Sequence, residues 1–180
     1  MRNARHLYVL RHAKSSWDDP GLDDHERPLA PRGIRATKRL AEHLRAAGIA
    51  PAQVLCSSAR RTRETLDGVH PGGETLIEPE LYGASCWEVI ERLKRVPADL
   101  ASVMVIGHNP TMQTLVLRLA GANGSDHPGS AAPATEHDLA RVAQKFPTGA
   151  LATLRFDCAW SELSSGCATL VAYVSPRSLH

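Results

Sequence analysis

The sequence predicts an α/β fold of three layers, with helices on both faces of a mostly parallel central sheet. Three observations predict it. Short runs of apolar, strand-forming residues recur at 7–10, 54–56 and 103–106. The segments between them carry apolar residues at helical spacing. Each run also stops abruptly at a polar cluster, as strands do where an α/β sheet opens onto its ligand crevice.

Residues 6–11 read as a central parallel strand, apolar on both faces, that ends in Arg11 and His12. From Ser15 to Arg32 the pattern gives way to Asp, Pro, Gly and His, which predicts a long loop bordering a functional site. Pro31 opens a helix whose buried face is Ala36, Leu40, Leu44 and Ala47, and Gly48 ends it. Val54-Leu55-Cys56 is a second buried strand, and Ser57 and Ser58 are placed to cap a helix over 59–67. After the turn at 70–73, residues 75–77 form a third, edge-like strand. Ser85 caps a helix with Cys86, Val89, Ile90 and Leu93 on one face, ended by Pro97.

Val103-Met104-Val105-Ile106 is the clearest strand after the first, and it stops at Gly107-His108-Asn109-Pro110. Asn109 as N-cap and Pro110 as first residue start a helix striped by Met112, Leu115, Val116 and Leu119. Residues 121–134 have no period and predict a flexible excursion. A short helix near 135–145 and strands near 150–156 and 168–174 complete the chain.

The 180 residues and 43% hydrophobic composition suit one domain, 1–180, with a core that needs no staples. A net charge of +2 with dispersed basic residues and few aromatics argues against a nucleic-acid binder. No run approaches the roughly 20 apolar residues of a membrane span, and no signal-peptide h-region follows Met1, so the expected setting is the cytoplasm. Cys56, Cys86, Cys158 and Cys167 form no CxxC pair and read as small buried hydrophobes in a reduced protein. The histidines show no metal-ligand spacing.

Three strand ends therefore hold the chemistry: Arg11-His12, Ser57-Ser58 with Arg60, Arg61 and Arg63 beyond, and Gly107-His108. Singly, they are what a solvated loop, a wet helix face and a capped turn also present. Together they supply two histidines and several arginines to one sheet edge. Arginine forks match phosphoryl oxygens and stay charged, and they depress the pKa of a neighbouring imidazole, which is then free to attack phosphorus. That inventory points to phosphoryl transfer.

These residues resemble the histidine phosphatase superfamily, the phosphoglycerate mutase-like proteins. Arg11-His12-Ala13 is similar to its signature, with Ala13 in place of the usual glycine, and Lys14-Ser15-Ser16-Trp17-Asp18 is similar to its Glu-Ser-x-Trp-Asn sequel. Ser57-x-x-x-Arg61-x-x-x-Thr65 resembles the second arginine motif and Gly107-His108-Asn109-Pro110 the second histidine motif. Arg27-Pro28-Leu29 with Arg32-Gly33 and the short chain are similar to the SixA-type phosphohistidine phosphatases. The resemblance covers roughly residues 6–120 well and the tail loosely, through 146–150.

The resemblance implies that His12 forms a phosphohistidine, that Arg11 and Arg61 clamp the phosphoryl oxygens and that His108 adds a donor. It implies no metal and no cofactor, since these side chains stabilise the charge. Ser15, Asp18 and Asn109 are carried over as substrate-binding, although Asp18 stands where the family has asparagine and either points away or moves protons. Glu78 and Glu80 lie where larger members carry a glutamate acid, but neither has those members' spacing to Gly83; both also read as surface carboxylates. A missing acid suits a leaving group that departs easily, because protonating an alkoxide is worth about 10²–10⁴-fold. The expected activity is thus a phosphatase acting on a protein phosphohistidine or a small phosphorylated metabolite. A phosphoglycerate mutase-like enzyme and a non-catalytic phosphate-binding module are the alternatives.

Overall fold

The computed structural model describes residues 4–121 and 133–179. Its frame is a six-stranded sheet: β1 (Arg5–Arg11), β2 (Gln53–Ser57), β3 (Glu74–Glu78), β4 (Ser102–Gly107), β5 (Leu151–Phe156) and β6 (Thr169–Val174). The spatial order is β3-β2-β4-β1-β5-β6, with β1 to β4 parallel and β5 antiparallel to both its neighbours. The predicted mostly parallel sheet is what forms, and β3 is its edge.

Alternating side chains divide the core in two, as a pleated strand requires. Leu7, Val9, Leu55, Val103 and Val105 face α3 (Cys86–Leu93), α4 (Thr111–Ala120) and α5 (Pro133–Gln144). Tyr8, Leu10, Val54, Cys56, Met104 and Ile106 face α1 (Pro31–Ala46) and α2 (Arg60–Val69). Leu7, Val9, Leu10 and all of 103–106 are fully buried, so both faces of β1 and β4 are dry. That is why these strands read as continuous apolar runs rather than alternating ones.

Several boundaries differ from the predicted ones for local reasons. Ala47 is exposed beyond the end of α1, and the chain turns through Gly48 at φ +65° while the Ile49 N–H returns to the Leu44 carbonyl. No serine hydroxyl caps the first turn of α2 from the N-cap position, which Ala59 holds. The Ser85 cap of α3 forms with Glu88 as a reciprocal capping box, but the helix stops at Leu93, before Pro97. The predicted excursion lies mostly outside the described residues. Cys56 and Cys86 are buried as expected, whereas Cys158 and Cys167 are only half-buried and neighbour each other. Among the described residues no helix is long and apolar enough to cross a membrane.

Candidate active site

The sheet order places β2, β4 and β1 side by side and parallel, so the three polar strand ends meet along one edge. The His12 N–H donates to the Gly107 carbonyl at 3.0 Å, and the His12 and His108 ring centroids lie 5.3 Å apart. Ser57 Oγ, at the end of β2, is 2.7 Å from His108 Nε2. The serine predicted to cap α2 thus holds the second histidine.

His12 is 6% exposed and its Nδ1 lies 2.7 Å from the Ala13 carbonyl oxygen. A carbonyl only accepts, so Nδ1 carries the proton and Nε2 keeps its lone pair. Burial, helped by His108, Arg61 and Arg11, pushes the imidazole pKa down to about 3 against the pull of the Ala13 hydrogen bond. His12 is therefore a neutral base at any ordinary pH. The loop behind it is fixed from two sides. The Ala13 N–H donates to Thr65 Oγ1 at 3.0 Å, and that hydroxyl donates to the Arg61 carbonyl. On the other side α1 packs so closely that a Cβ on Gly33 would lie 2.2 Å from the Lys14 carbonyl oxygen.

Arg11 donates from Nη1 to the Phe146 carbonyl at 2.9 Å and keeps a buried, unpartnered Nε. The Gly149 N–H bridges the Arg11 and His12 carbonyls at 3.1 and 2.9 Å, at a φ of +77° that favours glycine. Arg61, 6% exposed, also has a buried Nε without a partner. His108 is pushed down to about 4, first by burial and then by Arg61, with Asp24 opposing. Its Nδ1 is buried without a partner. Two arginines and two neutral imidazoles thus surround one point, each with an uncommitted polar atom.

The structure adds Asp24 and Tyr82, which no sequence pattern singled out, and gives Arg27 of the SixA-like motif its partners. Asp24, in a single turn of 3-10 helix within the 15–32 loop, accepts from Arg61 Nη2 on Oδ2 at 3.0 Å and from Nη1 on its backbone carbonyl at 2.6 Å. The Tyr82 hydroxyl donates to the same Oδ2 at 2.7 Å, and the Tyr82 ring meets His108 edge-on at 5.6 Å. Those bonds, led by the one from Tyr82, hold the Asp24 carboxyl below its usual pKa. Arg27, 7% exposed, pairs with Asp24 Oδ1 at 3.2 Å, donates to Ser15 Oγ and stacks on Trp17 at 3.4 Å. The Asp24-x-x-Arg27 spacing was the available signal, but a charged pair in a loop has no period to betray it.

The predicted substrate-binding residues fare differently. Ser15 is buried and engaged with Arg27, and Asp18 is exposed, its backbone N–H bonded to Ser16 Oγ. Asn109 donates to the Phe146 carbonyl and accepts from the Gln113 N–H, which commits both ends of its amide to positioning. It serves the start of α4 from just outside it, because the helix begins at Thr111. Glu78 is bidentate to Arg92 and Glu80 is exposed, so neither carboxylate makes a hydrogen bond to the four site residues. Arg60 pairs with Glu64 and Arg63 with the Ser58 carbonyl, as outward-facing residues should. His25, in the 15–32 loop, joins this cluster: its ring contacts Tyr82 at 4.9 Å and its Nε2 lies 2.9 Å from Ser58 Oγ. Among the described residues no group of three or more His, Cys, Asp or Glu is gathered that could hold a metal ion.

Residues 7–82 match the model of the histidine phosphatase superfamily (branch 1). An uncharacterized protein of Mycobacterium tuberculosis is 41% identical over 168 residues, covering 93% of this chain and 100% of that one. Among solved structures, the proposed phosphohistidine phosphatase SixA of Nakamurella multipartitia superposes with a TM-score of 0.81 at 30% identity over 97% of both chains. A protein histidine phosphatase SixA complexed with tungstate gives 0.73 at 24% identity, covering 97% of this chain and 99% of that one, a likeness of fold. With the strand-end histidines and arginines in place, the chain belongs to the histidine phosphatase superfamily, in its SixA-type form, and is a phosphatase of that fold.

Proposed function

We propose that the enzyme hydrolyses its substrate through a covalent phosphohistidine on His12, without a metal. The Nε2 lone pair forms the N–P bond as the bond from phosphorus to the leaving group breaks and its electron pair departs with that group. Water then attacks phosphorus, the N–P bond breaks, the lone pair returns to Nε2 and the water's proton leaves with orthophosphate. Arg11 and Arg61 hold the equatorial oxygens, and His108 contributes a hydrogen bond through its unpartnered nitrogen. The carrying observation is the His12 imidazole itself, buried, neutral and fixed through Nδ1 on a carbonyl among three cationic or polar neighbours.

The substrate reading follows from the leaving group. Asp24 is an ionised carboxylate, and Glu78 is held by Arg92, so neither is a ready acid. A phosphohistidine protonated on its distal ring nitrogen releases neutral imidazole and needs no acid from the enzyme. This supports a protein phosphohistidine as substrate, in line with the SixA neighbours. A small phosphorylated metabolite is the second reading, favoured by a cation-lined cavity beside Arg11. The test is acid-labile, base-stable phosphate trapped on the wild-type chain during turnover of p-nitrophenyl phosphate in chelator. Activity retained at wild-type level by His12→Ala would overturn the mechanism.

A further inference from the structure

Beside Arg11 the surface folds into a cavity of about 590 Å³ whose lining includes neither His12 nor His108. Lys14, from the loop after β1, and Arg32 and Arg39, from α1, line one part of it. Arg141 and Lys145, from α5 and its end, and Arg177, beyond β6, line another. With Arg11, seven of the chain's 21 Lys and Arg residues face this space, and among the described residues no Asp or Glu does. In a chain of net charge +2 that is a marked local segregation.

Salt bridging does not account for it. Arg141 pairs with Asp138, whereas Arg39 donates only to the Pro176 and Leu179 carbonyls. Among the described residues Lys14, Arg32, Lys145 and Arg177 have no carboxylate partner. A concave wall of unneutralised cations focuses the field into the cavity and concentrates anions there. The size is that of a small-molecule site, and nucleic acid would need a stripe rather than a pit.

We propose that this cavity is a second anion subsite, which takes a further phosphoryl group carried by the leaving portion of a small, doubly phosphorylated substrate. The inference rests on the reading of His12 and Arg11 as the reaction site and deepens its small-metabolite form. Arg11 is the shared wall: one phosphoryl group lies on its His12 side while the other is held across the cavity by Arg32, Lys145 and Arg177.

The test compares kcat/KM for the mono- and bisphosphates of one alkanediol on wild type and on a variant carrying Arg32→Gln, Lys145→Gln and Arg177→Gln. All three residues are exposed and outside the catalytic cluster, so p-nitrophenyl phosphate turnover should be unchanged and reports folding. Wild type is expected to favour the bisphosphate by about 10- to 100-fold, as charge-assisted contacts allow, and the variant to lose that preference. Equal kcat/KM for both compounds on wild type, or a preference the variant retains, overturns the proposal. So does a variant that loses activity only towards a phosphohistidine-bearing protein domain, since the cations would then serve an acidic protein face. Calorimetric titration of both compounds into the His12→Ala chain reads the subsite even if the covalent mechanism fails.

Discussion

The carboxylate of Asp24 sits in the fork of Arg61, with Oδ2 3.0 Å from Nη2. Arg61 is 6% exposed, whereas the Asp24 side chain is about half exposed at 49%. A carboxylate on a phosphate clamp is a resident anion, and an incoming phosphoryl group must share or displace it. Asp24→Asn removes the competing charge while leaving the backbone carbonyl to orient Arg61 Nη1. Because Asp24 is half exposed, the expected effect is modest: the inhibition constant of inorganic phosphate should fall by about two- to fivefold. A weaker inhibition instead would show that Asp24 is needed to aim the guanidinium.

Thr65 couples the loop behind His12 to α2 through one hydroxyl that both accepts and donates. Thr65→Val keeps the shape and leaves the buried Ala13 N–H without an acceptor, at a cost of about 1–3 kcal/mol. Urea unfolding should show that loss at an unchanged m-value. kcat should drop as well, since Ala13 carries the carbonyl that fixes the His12 tautomer. Wild-type kcat at reduced stability would separate the two roles.

Gly33→Ala tests the contact between α1 and the same loop from the other side. The added methyl would meet the Lys14 carbonyl at 2.2 Å, backbone against backbone, with no flexible side chain to yield. The expected cost is about 1–3 kcal/mol, read as a lower thermal midpoint. Because Lys14 stands two residues from His12, turnover of p-nitrophenyl phosphate should fall with it. The exposed loop position Gly21, where a Cβ would meet only the Asp19 side chain at 3.3 Å, is the control and should tolerate alanine.

His12 and His108 shape the response to acid. Their folded pKa values are about 3 and about 4, against an ordinary value of 6.5. Between those limits the unfolded chain binds more protons, so stability is full above about 6.5 and falls as the pH drops toward the folded values. For a fully buried imidazole the loss approaches about 1.4 kcal/mol per pH unit in that window. Urea midpoints should therefore be lower at pH 5 than at pH 7.5, by less in His12→Asn than in wild type. Asp24, held below its usual value, adds a loss only at more acid pH. Imidazole nitrogen shifts that stay neutral at pH 5 would report both histidines directly.

The three apolar strands, their parallel order and the convergence of Arg11, His12, Arg61 and His108 were legible because burial on both sheet faces writes itself as uninterrupted apolar runs, and because each run ends where chemistry begins. The loop was not legible. Asp24 and Tyr82 are recruited by hydrogen bonds between segments 37 and 58 residues apart, which leave no periodic trace. Asp18, carried over from a motif with two orientations open, is exposed. Asn109 was legible as a cap but not as the tie to Phe146, because that partner lies 37 residues away. Ser57 was legible as polar punctuation, yet its partner is the histidine just past the end of β4.

The position of β1 between β4 and β5 bears on how the chain is made. Of these six strands the earliest made is the one with the most distant partners: Ser102 opens the register on one side, and the other awaits 151–156. At ordinary elongation rates the two apolar edges stay open for about 5–30 s. During that interval Leu7, Val9 and Leu10, fully buried in the fold, lack the strands that cover their edges. The reactive pair matures last as well as first, because Arg11 and His12 gain their clasp only when Gly149 has been translated. A ribosome stalled after β4 would thus carry the complete signature sequence and no working enzyme.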